Sequence, residues 1–261
     1  PTRRSSDLKK WLYEAAETVA RSRQLDGRGI ASAASASWPQ VIGEKNAFTS
    51  GVPSRTISGF KAAGIEFIAG NARFTSPETL TVEGREIRAR FFMVAAGARP
   101  MTLPLPGSDH LTTSSAFMEL EALPERIVFV GGGFIAFEFA HFAARLGPPN
   151  TRIVILEAGE RPLGPFDAEM VALLVEASRE VNIEVVTGVR IEGIEKNAEG
   201  FSVKTAGGVS YEADLVAHGA GRVPDIEGLG LEAGGIVFNR RGIVVNDRMM
   251  TSNPRVYAVG D

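Results

Sequence analysis

The stretch RIVFVGGGFIAFE, residues 126–138, leaves the chain the fewest options. A short apolar run enters three glycines and leaves them as a segment with apolar residues at helical spacing. A buried strand therefore turns at once into a helix. Gly131, Gly133 and Ala136 occupy the small positions of a G-x-G-x-x-G/A turn, with Gly132 and Ile135 between them. The first glycine permits the tight turn, the second lets the backbone approach a pyrophosphate, and the third small residue lets the helix lie close to the strand. Phosphates at such a turn sit on a helix amino terminus, where free amides and the helix dipole favour negative charge. Glycines kept only for close packing would spell the same letters, so the flanking sequence has to decide.

The flanks have the form a dinucleotide site needs. TRIVILE supplies the next strand, which makes a βαβ unit and implies a parallel sheet. Glu157 closes that strand about twenty residues beyond the turn, where a carboxylate binds an adenosine ribose diol. Its charge repels a 2′-phosphate, and AGERPL offers only Arg161 in compensation, so the site reads as NAD(H) over NADP(H). The plain alternative for Glu157 is an exposed strand end. FDAEMVALLVEASREV follows as an amphipathic helix, IEVVTG as a third parallel strand and FSVKTAGGVSYEA as a hairpin. DLVAHGAGRVPD is a strand running into a second glycine loop, which contains Gly221.

Ahead of this unit, KKWLYEAAETVARSRQL puts Trp11, Leu12, Ala15, Ala16, Val19 and Ala20 on one helical face. A second helical stretch runs from about Trp38 to Ala63, interrupted near Gly51-Val52-Pro53, and Gly64 stops it. IEFIAG reads as a strand, and residues 64–94 as a small antiparallel unit with Glu83-Gly84 as its turn. Pro104, Pro106 and Gly107 mark a linker. The first eight residues, PTRRSSDL, match a translation of a common sequencing adapter, so a non-native origin is expected for them; a natural basic coil is the alternative. The expected division is 9–102, 103–222 and 223–261, the last returning to the first domain.

Composition narrows the chemistry. A net charge of −3 and 44% hydrophobic residues describe a soluble globular protein with no call for nucleic acid or an anionic membrane as partner. No apolar run spans a bilayer and no secretory h-region opens the chain, so a cytoplasmic location is expected. With no cysteine, these residues hold no disulfide, thiolate metal site or redox dithiol.

Four motifs in series, MVAAGARP (93–100), VGGGFIAFE (130–138), GAGRVPD (219–225) and TSNPRVYAVGD (251–261), resemble the class I pyridine nucleotide–disulfide oxidoreductases. The resemblance implies an α/β fold of two Rossmann-like, three-layer dinucleotide-binding domains, with the NAD domain inserted into an incomplete FAD domain. It assigns Asp261 to the ribityl chain of FAD, Ala72 to its adenine, and Ala96 and Gly97 to the segment where the chain leaves the FAD domain, Ala96 replacing the usual threonine. Lys9 corresponds to the lysine beneath the flavin, paired with Glu138, and Phe134 to the aromatic gate of the nicotinamide pocket. For Glu138 the apolar setting FIAFEFAHF favours a partner, because an unpaired buried charge is costly.

The implied activity of the intact protein is hydride transfer from NAD(P)H, NADH preferred, to FAD, then to a C-x4-C disulfide that reduces a small substrate or a metal ion. The resemblance also implies that the chain is a fragment, inactive alone, lacking the dithiol, the first FAD strand and the dimerisation domain of a homodimer. His110, His141 and His218 match no catalytic setting, and His141 reads as packed or solvated. Two alternatives stay open: a ferredoxin-type reductase or NADH oxidase of the same two-dinucleotide fold, and a non-catalytic NAD(H)-binding module.

Overall fold

The computed structural model describes residues 5–260. Helices α1 (Ser5–Gln24), α2 (Trp38–Ser50) and α3 (Val52–Ala62) precede strands β1 (Ala72–Ser76), β2 (Thr79–Val82), β3 (Arg85–Arg88), β4 (Phe92–Val94) and β5 (Ala98–Pro100). Then come α4 (Ser114–Phe117), β6 (Arg126–Val130), α5 (Phe134–Leu146), β7 (Arg152–Leu156), α6 (Ala168–Arg179) and β8 (Ile183–Val186). The chain continues through β9 (Ile191–Asn197), β10 (Gly200–Thr205), β11 (Ser210–Ala213), β12 (Leu215–His218) and β13 (Arg222–Pro224). It ends with β14 (Phe238–Asn239), β15 (Gly242–Ile243) and β16 (Val256–Ala258). This mixed α/β chain divides into two compact units, each assembled from two segments. One joins the chain through Arg55 to Thr102–Gly221, and the other joins Thr56–Met101 to the segment from Arg222 onward.

In the first unit, β12, β6, β7 and β8 form a parallel sheet in that order, with Val216 opposite Val128 and Val128 opposite Val154. Successive residues of a strand point to opposite faces. Ile127 and Phe129 accordingly join the core beneath α5, while Val128 and Val130 join one under the antiparallel meander β9–β11. Helices α1 and α2 complete the first core with Leu12, Ala16, Val19, Trp38 and Ile42. That packing groups residues through 55 with the parallel sheet, whereas the sequence places them with 56–102. The Asp167 carboxylate caps α6 by accepting from the amides of Glu169 and Met170 at 3.0 and 3.1 Å.

Three local readings need correction. Trp11 is 39% exposed and stacks on Phe48 of α2 at a centroid distance of 5.8 Å, because the fully buried stripe of α1 is narrow and is carried by Leu12, Ala16 and Val19. IEFIAG forms no strand: among the described residues it has no ladder partner, and extended backbone without one is not a sheet. The polar-looking segment 191–197 is strand β9, which widens the expected hairpin to three strands.

The second unit holds the antiparallel meander β1–β2–β3, turned at Glu83 and Gly84, both with positive φ. It also contains a parallel pair β4–β16, an antiparallel pair β5–β13 and the short hairpin β14–β15. Phe74, Phe92, Leu231, Ile236 and Val256 form its core, with the Phe74 and Phe92 rings edge to face at 5.3 Å. Asn253, 6% exposed, ties this unit together by donating from Nδ2 to the carbonyls of Pro77 and Gly234 at 2.9 and 2.8 Å.

Candidate functional site

The glycine turn lies between β6 and α5 as the sequence expects. Gly131 has φ 96°, a conformation L side chains rarely adopt, and a Cβ there would stand 2.6 Å from the Ala220 Cα. The Ala136 side chain is fully buried and faces the loop after β12. At Gly219 in that loop, a Cβ would come within 2.7 Å of the Ala136 methyl. Two glycine-bearing loops thus approach each other at the carboxyl edge of the parallel sheet, where ligands of such sheets bind. α5 starts at Gly133 with no side-chain cap, so its first amides face the cleft without a competing acceptor from a capping side chain.

The resulting cleft encloses about 640 Å³ and is lined by Gly131–Ile135, Glu157, Arg161, Phe166, Arg190 and Gly221, among others. Its size, apolar walls and glycine floor suit a dinucleotide: a Cβ at Gly131 would meet neighbouring backbone and close the approach to a phosphate. Glu157 stands at the rim. Its Oε2 accepts from the Gly132 amide and its Oε1 from the Gly159 amide, both at 2.6 Å. Each carboxylate oxygen keeps a second lone pair for a hydroxyl. Arg161 lines the same cleft, yet its guanidinium donates to the carbonyls of Phe166 and Gly164 at 2.8 and 2.6 Å.

On the next turn of α5, Glu138 meets Lys9 of α1: Nζ donates to Oε2 at 2.7 Å, joining residues 129 apart in the chain. The two side chains are 21% and 42% exposed, and the ammonium also sits 5.6 Å from the Phe134 ring centroid. Glu138 is therefore half-exposed and paired, a correction to its expected burial on an apolar face. The apolar side of α5 is carried by Phe137, Phe139, Ala140, Phe142 and Ala143. The three residues assigned to the flavin and nicotinamide side thus form one cluster.

His141, one turn further along α5, belongs to the packing. Its Nε2 lies 3.0 Å from Ser178 Oγ on α6, and because that hydroxyl donates to the Leu174 carbonyl, the imidazole must donate to it. Among the described residues, Nδ1 is buried without a hydrogen-bond partner. Burial, reinforced by the Arg145 guanidinium, pushes the imidazole pKa down to about 4.

In the second unit, Ala96, Gly97 and Gly260 line a cavity of about 190 Å³ together with Pro224, Ala258 and Arg241. Gly97 has φ 78°, and its carbonyl accepts from the Asp225 amide at 2.8 Å. That volume fits a stretch of a dinucleotide such as a ribityl chain, not a whole one. Ala72 opens β1 opposite Val82 and does not line the cavity. Asp261 lies outside the described residues.

Residues 12–261 match the family model described as pyridine nucleotide-disulphide oxidoreductase. The chain belongs to this family. A glutathione reductase of Burkholderia cepacia is 34% identical over 258 residues, covering 97% of this chain and 56% of the relative. A dihydrolipoyl dehydrogenase of Thermus scotoductus is 34% identical over 265 residues, again 97% of this chain and 56% of the relative. The solved Cu(II) complex of the HOCl-induced flavoprotein disulfide reductase RclA of Escherichia coli superposes with a TM-score of 0.85 at 24% identity. It covers 97% of this chain and 55% of that one, a likeness of fold. The chain spans about half the length of the curated relatives it matches. Among the described residues no helix is long and apolar enough to cross a membrane.

Two contributors escaped the sequence reading. The pyridine nucleotide-disulphide oxidoreductase motifs draw the eye to glycines and acids, whereas Leu163 and Gly159 hold the cleft wall through backbone groups. The turn letters Pro162, Gly164 and Pro165 were the only sign of that wall.

Proposed function

We propose that this chain is part of an FAD-dependent NAD(P)H:disulfide oxidoreductase built from two Rossmann-like nucleotide domains, the NAD domain inserted within the FAD domain. The observation that carries the reading is the Lys9–Glu138 pair at 2.7 Å, with the Phe134 ring beside it and the glycine turn one helical turn away. When bound, nicotinamide and flavin supply hydride transfer, and two electrons pass on to a cysteine disulfide and then to a small disulfide or a metal ion. The dithiol is not among these residues, since the chain has no cysteine.

The residues divide the remaining work. Gly131–Ala136 bind pyrophosphate at the start of α5. Glu157 accepts the ribose hydroxyls and repels a 2′-phosphate, which favours NADH. Lys9 stabilises negative charge arising near the flavin, Glu138 offsets the partial burial of that ammonium, and the Phe134 ring covers the pocket against water. Ala72, Ala96, Gly97 and Asp261 are assigned to FAD. The whole protein is read as a cytoplasmic homodimer.

NADH fluorescence titration of this chain tests the nucleotide half. Saturable binding, tighter for NADH than NADPH and weakened about tenfold by Glu157→Ala, is expected. Preference for NADPH, or indifference to Glu157→Ala, overturns it. A full-length protein that stays colourless with added FAD overturns the flavin half.

A further inference from the structure

Arg161 is the cation the sequence offers to a 2′-phosphate, but the structure gives it another task. Its two Nη atoms bridge the carbonyls of Gly164 and Phe166, and the Phe166 amide closes the loop onto the Leu163 carbonyl at 2.9 Å. Leu163 has φ 50°, in the left-handed region, while its side chain is 8% exposed and packed in the core beneath α5. A leucine stays in that region only where its surroundings over-determine it. The loop also grips the phosphate turn. The Leu163 amide donates to the Gly132 carbonyl at 2.9 Å, and Glu157 accepts from the Gly132 amide, so both peptide groups of Gly132 are held by segment 157–163. Arg190, on the same cleft, pairs with Glu192 at 3.3 Å.

We propose that Arg161 is a positioning residue: its fork holds Leu163 left-handed and thereby fixes the Gly132 peptide of the nucleotide turn, without meeting the 2′ position of the ligand. The proposal rests on reading the cleft as the nicotinamide-nucleotide site. It makes the wall a preformed surface, so binding does not have to order residues 161–166.

The test compares the chain with Arg161→Ala, Arg161→Lys and Arg161→Ala combined with Leu163→Gly. NADH and NADPH are titrated by fluorescence, and amide exchange over 157–166 is followed without nucleotide. Loss of the fork should weaken both nucleotides by the same factor, on the order of tenfold, leaving their ratio unchanged. Protection of the Leu163 amide should fall in the same variants. Arg161→Lys, which keeps the charge and most of the stem and so protects folding, should behave much like the alanine variant because a single, shorter-reaching nitrogen does not reproduce the planar two-nitrogen fork that spans the Gly164 and Phe166 carbonyls. Glycine at 163 adopts φ 50° without strain and should recover part of the lost affinity. Selective loss of NADPH binding in Arg161→Ala, retained by Arg161→Lys, overturns the proposal. Should the unaltered chain bind neither nucleotide, the reading of the cleft fails, and exchange at Leu163 alone still decides whether Arg161 holds the loop.

Discussion

His141 should make the stability of the first unit depend on pH below about 6.5. Its folded pKa lies near 4 because burial disfavours the imidazolium and the Arg145 guanidinium repels it, whereas the unfolded chain returns it to about 6.5. A group whose folded pKa is depressed leaves the unfolded state holding more protons between the two values, so stability falls as pH drops from about 6.5 towards 4. At 1.36 kcal/mol for each unit of separation the ceiling is roughly 3.4 kcal/mol, and down to pH 4.5 about 2.5 kcal/mol of it should be lost. Of the groups facing the ring, Ser178 does not titrate and Glu138 is paired with Lys9. Lys10 and Tyr13 of α1 line the same hollow, and Arg145 leans on Glu17 at 3.7 Å. His141→Gln keeps a donor for the Ser178 hydroxyl and does not titrate. Urea unfolding from pH 7.5 to 4.5 should show the native chain losing about 2.5 kcal/mol more than the variant. Parallel pH curves for the two proteins would refute the assignment.

Substitutions at two further positions test the architecture. Gly131→Ala meets both an unfavourable φ of 96° and the Ala220 backbone, and should cost about 1–3 kcal/mol in a thermal melt; an unchanged midpoint contradicts the turn geometry. Lys45 is wholly buried, donating to the Met118 carbonyl at 2.6 Å and to Glu119 at 3.1 Å. Lys45→Met keeps the stem and strands that carbonyl, for about 1–3 kcal/mol, while Lys45→Ala adds a cavity and should lose roughly 3–5 kcal/mol by urea titration.

What could be read ahead of the structure was what is decided locally. Gly131, Gly133 and Ala136 announce their turn because its backbone admits few other residues. Which strand residue faces which core was not legible: Ile127, Val128, Phe129 and Val130 are all apolar, as expected of a strand buried on both faces. IEFIAG has the composition of a strand, but a strand is completed by a partner elsewhere. Trp11 lies within the helical arc that periodicity marks as inward, yet how much of that arc is covered depends on helices hundreds of atoms away. The charge of Arg161 was plain, while its true partners are carbonyls presented only after the loop has turned through a left-handed leucine. Nothing local links Lys9 to Glu138; that pairing entered through family resemblance, and the 2.7 Å contact agrees with it.

The separation of those two residues bears on how the protein is made. Leu12, Ala16 and Val19 leave the ribosome ahead of the α5 surface they cover, Glu138 following Lys9 by 129 residues, after the Thr56–Met101 excursion into the other unit. At ordinary elongation speeds that is roughly ten seconds or more before the amphipathic helix α1 can meet α5. Slowed translation of residues 25–138 lengthens that wait.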